Sequence, residues 1–245
     1  MGALLLNNVI DEDDAEASVV KFVNQIIREA LAPFPDDLTI VTKIGARRGA
    51  DGSWLPAFSR QELAQAVHDN LRNLDLDALD VVNLRIMFSA HGPAEGSIEA
   101  PLVTLAELQR QGLIRHIGLS NVTPAQIVEG RMICQIVCVQ NQYNLAHRVD
   151  DALIDDLARS GVAYVPFFPL GGFAPLQSST LSDVARRLVA SPMQVALAWL
   201  LRRSPNILAI PGTASVAHLR ENVSAIELDL PDEAMVSLNG VATAD

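Results

Sequence analysis

The sequence predicts a single α/β domain of the (β/α)8 TIM-barrel type, a closed parallel sheet surrounded by helices. From residue 38 onward, short runs rich in β-forming residues alternate with longer segments of helical period, which is typical of repeated βα units. An open dinucleotide-binding sheet would carry GxGxxG after its first strand, and that spacing does not occur in the 245 residues. The length suits one barrel, and no low-complexity linker interrupts it, so we expect one domain over residues 1–245.

Six strands are predicted from residue 38 onward, because each run is short, rich in apolar and β-branched residues, and followed by Gly, Pro, Ser or Asn. They cover residues 38–43, 80–85, 114–120, 137–140, 162–168 and 207–210. In a barrel of this type the active site lies at the carboxyl ends of the strands. Polar residues that close these runs are therefore the first candidates for chemistry.

Helix start signals lie between the predicted strands. Ser59 with Glu62 three residues later forms a capping-box pattern, and Thr123 and Ser191 each precede a proline at the first helical position. These signals predict helices that begin near residues 60, 124 and 192.

The first 23 residues are atypical of such a barrel. Closure needs eight strands, and only the stretch ALLLNNVI at residues 3–10 remains to supply a seventh. The acidic run DEDDAE at residues 11–16 has no β pattern and is expected to form a solvated loop or a first helical turn. We therefore expect a barrel that is incomplete at its N-terminus, with the first strand–helix–strand unit largely missing.

Composition excludes several classes of partner. Eighteen basic and 29 acidic residues give a net charge of −11, and the basic residues are scattered, which argues against nucleic acid. No apolar run approaches the roughly 20 residues that span a bilayer, and the start lacks signal-peptide features, so a cytoplasmic protein without membrane contact is expected. Cys134 and Cys138 are four residues apart and are interpreted as packed thiols, and the histidines lack metal-binding spacing, so no metal site is predicted.

Four linked motifs overlap the ends of predicted strands: GLSN at residues 118–121, VQNQYN at 139–144, FFPLGG at 167–172 and IPGTASVAHLREN at 210–222. Together they resemble the motifs of the aldo-keto reductase family, which reduces carbonyl groups with NADPH on a (β/α)8 barrel. The resemblance extends over roughly residues 24 to 240, and the motifs follow in the family's order and spacing.

The resemblance implies a set of cofactor-binding residues. For the nicotinamide end, it implies that Ser120, Asn121 and Gln140 hold the carboxamide, while Phe167 stacks on the ring where the family usually has tyrosine. For the rest of the dinucleotide, it implies Leu170 and Gly172 along the pyrophosphate, Thr213 and Ser215 at the 2′-phosphate, and Glu221 and Asn222 at the adenine. Gly212 and His218 stand where the family often has Lys and Arg, yet hydroxyls and helix N–H groups can hold a phosphate, so we expect NADP in preference to NAD.

The resemblance also implies catalytic residues at the ends of two strands. Lys43 matches the family's lysine, and Arg85 stands where the family has a histidine. Arg85 cannot donate a proton at neutral pH, but it could polarise a carbonyl oxygen or bind a substrate carboxylate; the alternative is a solvated charge at the end of a strand. Counting back places Asp13 and Ser18 opposite the family's aspartate and tyrosine, and no tyrosine precedes Tyr143.

The predicted function is reduction of a small aldehyde or ketone by hydride transfer from NADPH, with activity impaired by the missing proton donor. One alternative is a catalytically silent nucleotide-binding barrel with a binding or regulatory role, and another is a truncated product that folds poorly or only as an oligomer. The oligomeric state and the substrate stay open. Trp54, which follows the Lys43 strand in a Gly/Pro-bounded loop, is expected to form a wall of the substrate pocket.

Overall fold

Backbone contacts divide the chain into an N-terminal unit, Met1–Gln140, and a C-terminal unit, Asn141–Asp245. The computed structural model describes residues 2–5, 17–172, 176 and 178–241. The two units are described separately.

The N-terminal unit is built on a sheet of five parallel strands in the order β1-β2-β5-β6-β7. The strands are β1 (Gly2–Leu5), β2 (Leu38–Ile44), β5 (Leu79–Arg85), β6 (Ile114–Ser120) and β7 (Ile136–Gln140). Four of them match the strands predicted within residues 38–140 to within one residue at each end. β1 pairs in parallel with β2, so the segment 3–10 does contribute strand residues. The acidic residues 11–16, including Asp13, lie outside the described residues, and Ser18 lies in helix α1 (Ala17–Leu31).

A short antiparallel hairpin follows β2 and corrects the prediction of a loop around Trp54. It consists of β3 (Ala46–Arg48) and β4 (Trp54–Pro56), with Arg48 opposite Trp54 in the register. The turn is closed by a bond from the amide of Gly52 to the carbonyl of Gly49 at 2.9 Å, and Gly52 has a positive φ of 77°. Three-residue strands are too short to show a period-two pattern, so these strands could not be predicted from hydrophobic periodicity.

The predicted helix starts of this unit are confirmed. In α2 (Arg60–Leu74) the amide of Glu62 donates to Ser59 Oγ at 3.2 Å, and the amide of Ser59 donates to Glu62 Oε2 at 3.1 Å. The same reciprocal bonds join Thr123 and Gln126 at the start of α4 (Pro124–Ile133). The remaining helix, α3 (Glu99–Arg110), lies between β5 and β6 in the chain. These caps satisfy amides that a helix leaves unpaired in its first turn.

The C-terminal unit is mainly helical. Its elements are α5 (Asp151–Arg159), β8 (Ala163–Tyr164), α6 (Ser179–Arg187), α7 (Pro192–Arg203), α8 (Val216–Ser224), a 3₁₀ turn (Ala225–Glu227) and α9 (Asp232–Asn239). The predicted strand 162–168 is reduced to two residues, with a separate bridge at Phe167, because Pro166 and Pro169 have no amide hydrogen for a ladder. The predicted strand 207–210 is reduced to one bridge between Ile207 and Tyr164.

In the C-terminal unit, two buried tyrosines donate hydrogen bonds to two consecutive aspartates. Tyr164 donates its hydroxyl hydrogen to Asp150 Oδ2 at 2.8 Å, and Tyr143 donates to Asp151 Oδ1 at 2.5 Å. The Tyr143 ring also stacks on the buried indole of Trp199, with centroids 6.0 Å apart. Burial is the main cause that raises the pKa of Tyr143, and the bond to its aspartate adds to it. Both hydroxyls therefore stay protonated and act as structural donors.

Within the described part of the chain, the helices are too short or too polar for any of them to cross a lipid bilayer.

Candidate active site

The carboxyl ends of the parallel strands bring polar residues into two rows across the sheet. In the first row, Lys43 is the register partner of Asn83, Asn83 of Gly118, and Gly118 of Cys138. The second row lies two residues further along each strand, toward the carboxyl edge. In this row Arg85 is the register partner of Ser120, and Ser120 is the partner of Gln140. Register partners in a parallel sheet point to the same face, so both rows present their side chains together.

The surroundings of Lys43 shift its pKa far from the ordinary value of a lysine. Its side chain is half-buried, and the pKa of its ammonium group is lowered from 10.5 to about 7, mainly by desolvation. The positive charge of Arg85 contributes to this lowering, whereas Cys138 acts in the opposite direction. Burial raises the pKa of the Cys138 thiol to about 12, so the thiol remains neutral near pH 7. Lys43 can therefore gain and lose a proton at neutral pH.

The side chains of β5 and β7 pack so closely against β6 that position 118, in the first row, requires a glycine. Cys138 Sγ lies 3.1 Å from Asn83 Oδ1, and both atoms face Gly118. A Cβ on Gly118 would overlap Asn83 Oδ1 and lie 2.5 Å from Cys138 Sγ. A side chain larger than hydrogen has no room there.

Arg85 is half-buried rather than fully solvated. Its Nε atom is buried and has no hydrogen-bond partner among the described residues. Its guanidinium carbon lies 4.9 Å from the centroid of the Trp54 ring, which belongs to the β3–β4 hairpin. Burial lowers the pKa of Arg85, and the neighbouring charge of Arg48 lowers it further. A buried donor beside an aromatic wall is suited to a polar ligand.

Ser120 and Gln140 end adjacent strands with unsatisfied polar atoms. Ser120 Oγ and Gln140 Oε1 are buried, and neither has a partner in the described part of the chain. Buried polar atoms without partners are rare in folded proteins, which favours a ligand at this position. An amide such as a carboxamide supplies both a donor and an acceptor, so the two atoms fit the group that the resemblance assigns to them.

Asn121 differs from its neighbour because its side-chain amide already has protein partners. Asn121 Nδ2 donates to the carbonyl of Ile86 at 2.7 Å and to that of Gly92 at 3.4 Å. Its backbone has a positive φ of 59°, and its amide donates to the carbonyl of Gln140 at 3.0 Å. Asn121 therefore fixes the loop after β5, and contact with a cofactor through its oxygen stays a prediction.

In the C-terminal unit, the predicted nicotinamide and pyrophosphate residues follow β8. The half-buried ring of Phe167 makes an edge-to-face contact with Phe168, with centroids 5.3 Å apart. Gly172 has a φ of 72°, and a Cβ there would lie 2.8 Å from the Phe168 ring. This glycine is thus required by local conformation, and the predicted roles of Leu170 and Gly172 along a pyrophosphate stay predictions.

The residues predicted for the 2′-phosphate lie at the start of α8. Thr213 Oγ1 accepts from the amide of Ser215 at 3.0 Å, and Ser215 Oγ accepts from the amide of His218 at 3.4 Å as the N-cap. Thr213 is exposed and Ser215 half-buried. Both hydroxyls keep a free hydrogen to donate, beside helix amides that favour an anion. The predicted adenine residues Glu221 and Asn222 are half-buried in the same helix.

Sequence reasoning missed two contributors to the site. Asn83 is a buried polar residue between the buried apolar residues Val82 and Leu84 of β5, and that break in pattern was a usable signal. Arg48 lies over the Trp54 ring, 3.8 Å from its centroid, and only the hairpin brings it there. In the described ranges, no group of three or more His, Cys, Asp or Glu side chains is arranged to hold a metal ion.

Comparison with known proteins places this geometry in one family. The model of the aldo/keto reductase family matches residues 20–242. The chain is 70% identical over 236 residues to pyridoxine 4-dehydrogenase of Escherichia coli (strain K12), which covers 96% of this chain and 82% of that protein.

Solved structures confirm the fold class. The thermostable aldo-keto reductase Tm1743, in complex with the inhibitor epalrestat, superposes with a TM-score of 0.74 at 33% identity, covering 90% of this chain and 77% of that one. An aldo/keto reductase from Klebsiella pneumoniae in complex with NADP and acetate shares the fold at 20% identity, with a TM-score of 0.73 over 92% of this chain and 77% of that one. The fold is thus of the (β/α)8 type, and the chain belongs to the aldo/keto reductase family of oxidoreductases.

Proposed function

We propose that this chain interconverts a small aldehyde or ketone and the corresponding alcohol, with NADP(H) as the hydride carrier. The observation that carries the proposal is Lys43. It lies at the carboxyl end of β2 in an aldo/keto reductase sheet, and its pKa of about 7 suits proton transfer at neutral pH.

The cofactor proposal rests on unsatisfied atoms in the site. Ser120 Oγ and Gln140 Oε1 would hold a nicotinamide carboxamide. The hydroxyls of Thr213 and Ser215 beside the first amides of α8 support NADP over NAD, since they can donate to a 2′-phosphate. When bound, NADPH supplies the hydride that reduces the carbonyl carbon.

The proposed proton donor is Lys43. The sequence contains only two tyrosines, Tyr143 and Tyr164, and both hydroxyls donate to aspartates in the C-terminal unit. As hydride reaches the carbonyl carbon, the Lys43 ammonium would release a proton to the carbonyl oxygen and be reprotonated by solvent. Arg85 would polarise that oxygen, since it is a fixed cation with a buried, unpartnered Nε.

The relative at 70% identity suggests a substrate. Pyridoxine 4-dehydrogenase acts on pyridoxine, and removal of hydrogen at the 4-hydroxymethyl group leaves an aromatic aldehyde, pyridoxal. We propose the pyridoxal–pyridoxine pair as the first substrate to test for this chain.

The test has two stages. A fluorescence titration with NADPH, and beside it NADH, should show saturable binding that is tighter for NADPH and weaker in Ser120→Ala. Loss of NADPH absorbance on addition of pyridoxal, abolished in Lys43→Met, would support the reductase proposal. Saturable binding without turnover of any aldehyde would instead favour a silent nucleotide-binding barrel, and binding of neither nucleotide would overturn both.

A further inference from the structure

Three cationic side chains converge at the carboxyl edge of the N-terminal sheet, although the whole chain carries a net charge of −11. Lys43 is the next-to-last residue of β2, Arg85 ends β5, and Arg48 ends the first strand of the hairpin. In the residues that the structure describes, neither Arg48 nor Arg85 forms an ion pair with a carboxylate, whereas the adjacent Arg47 pairs with Glu62 at 3.5 Å. Acids outnumber bases in this chain, so two uncompensated guanidinium groups at one place call for a physical reason.

Trp54 holds the two guanidinium groups close together. Its ring centroid is 3.8 Å from the Arg48 guanidinium carbon and 4.9 Å from that of Arg85. Arg48 is also fixed by a bond from its Nη1 to the carbonyl of Gly52 at 2.6 Å. The aromatic face partly offsets the mutual repulsion of the cations, but it supplies no counter-charge. An anion placed beside them would remove the repulsion.

We propose that Arg48, together with Arg85 and the Trp54 wall, forms a subsite for an anionic oxygen group on the substrate, such as a carboxylate, phosphate or phenolate. This inference rests on the proposed reductase function and narrows its substrate class. The preferred substrates are carbonyl compounds that carry such a group. Arg48 acts as a specificity residue, because it grips a substituent and takes no part in hydride or proton transfer.

The proposal is tested with a pair of aldehydes that differ only in charge, 4-formylbenzoate and its methyl ester. The wild-type chain should reduce 4-formylbenzoate with the lower KM. Arg48→Gln should raise that KM about tenfold, which is about 1.4 kcal/mol, leave kcat within about twofold, and leave both constants for the ester unchanged. Arg48→Lys should retain part of the preference, because it keeps the charge but loses the planar fork.

Arg47→Gln is the matched control, since it removes the same charge from the neighbouring position on the same strand. Because Arg47 is exposed and paired with Glu62, its loss should leave the KM of both aldehydes unchanged. Equal effects of the two substitutions would reduce the result to general electrostatics and overturn the subsite. An equal effect of Arg48→Gln on both aldehydes, or a wild-type preference for the ester, would overturn it as well.

A second readout separates the subsite from the reductase reaction. Terephthalate should quench the fluorescence of Trp54 saturably, with weaker binding in Arg48→Gln and loss of the signal in Trp54→Phe. If neither aldehyde is reduced but terephthalate binds in this way, the proposed reaction fails and the anion subsite stands. Absence of saturable quenching in the folded wild-type chain would refute the subsite whatever the activity.

Discussion

The pH dependence of the reaction offers a direct test of Lys43 as the proton donor. An ordinary lysine, with a pKa of 10.5, stays protonated through the neutral range, whereas Lys43 has a pKa of about 7. A general acid must be protonated, so kcat/KM for carbonyl reduction should be constant below pH 7 and fall above it. At pH 8 about a tenth of the chains would carry the proton, so the rate should be about tenfold below the plateau.

The reverse reaction supplies the matching half of the test. Alcohol oxidation with NADP needs the neutral amine as a base, so its kcat/KM should rise through pH 7 to a plateau. Steady-state rates in both directions, from pH 5.5 to 9 with a neutral substrate, would show mirrored profiles with a common midpoint. Lys43→Met should lower both rates by about 10²–10⁴-fold and abolish the common midpoint. A reduction rate that stays flat to pH 9, or rises, would refute Lys43 as the acid.

The remaining predictions concern Arg85 and Gly118 in the two rows of the sheet, and the hydrogen bond between Tyr164 and Asp150. Arg85→Gln should move the midpoint of the pH–rate profile to higher pH, because a cation that lowers the pKa of Lys43 is lost. The same substitution should reduce kcat/KM by about 10²-fold, because polarisation of the carbonyl group is lost. Both effects are measured from pH–rate profiles. Gly118→Ala should lower the free energy of unfolding by about 1–3 kcal/mol in urea denaturation, because its Cβ overlaps neighbouring side chains. Tyr164→Phe should cost about 1–2 kcal/mol in the same assay, because Asp150 loses a buried hydrogen-bond donor.

Each of these predictions can be contradicted by a stated result, and Gly118→Ala also has a matched control. Gly212→Ala, where a Cβ would meet nothing within 4 Å, should leave stability unchanged, and a similar loss at both glycines would contradict the packing argument. A midpoint that stays in place or moves down in Arg85→Gln would show that Arg85 does not act on Lys43. Unchanged stability of Tyr164→Phe would mean that water replaces the hydroxyl as the partner of Asp150.

The sequence predicted those parts of the fold that depend on local pattern. Strand runs such as residues 114–120 and caps such as Thr123–Pro124 were found because hydrophobic period and helix-start chemistry are short-range properties. The hairpin of Trp54 was missed because its strands are three residues long. The strand predicted at 162–168 was too long because its prolines break the ladder.

The sequence predicted only those residues of the candidate site whose positions match the motifs of the family. Lys43 and Arg85 were located by their places at strand ends, but the lowered pKa of Lys43 depends on burial and on a cation from the neighbouring strand. Arg48 carried no signal, because its placement over Trp54 exists only once the hairpin folds. Long-range electrostatics and hairpin geometry are properties of the tertiary structure, and a single sequence does not display them.

Arg85, at the position where the resemblance implies a histidine, would affect more than one step of the proposed reaction. An arginine in place of a histidine removes a side chain that can titrate near neutral pH, because a guanidinium group keeps its proton. In the structure, burial is the main cause of the lowered pKa of Lys43, and the charge of Arg85 lowers it further. In the proposed reaction, the group that exchanges a proton at neutral pH is therefore Lys43, near the end of β2. In the proposed subsite, the charges of Arg85 and Arg48 attract an anionic oxygen, so the two proposals link the choice of proton donor to the choice of substrate.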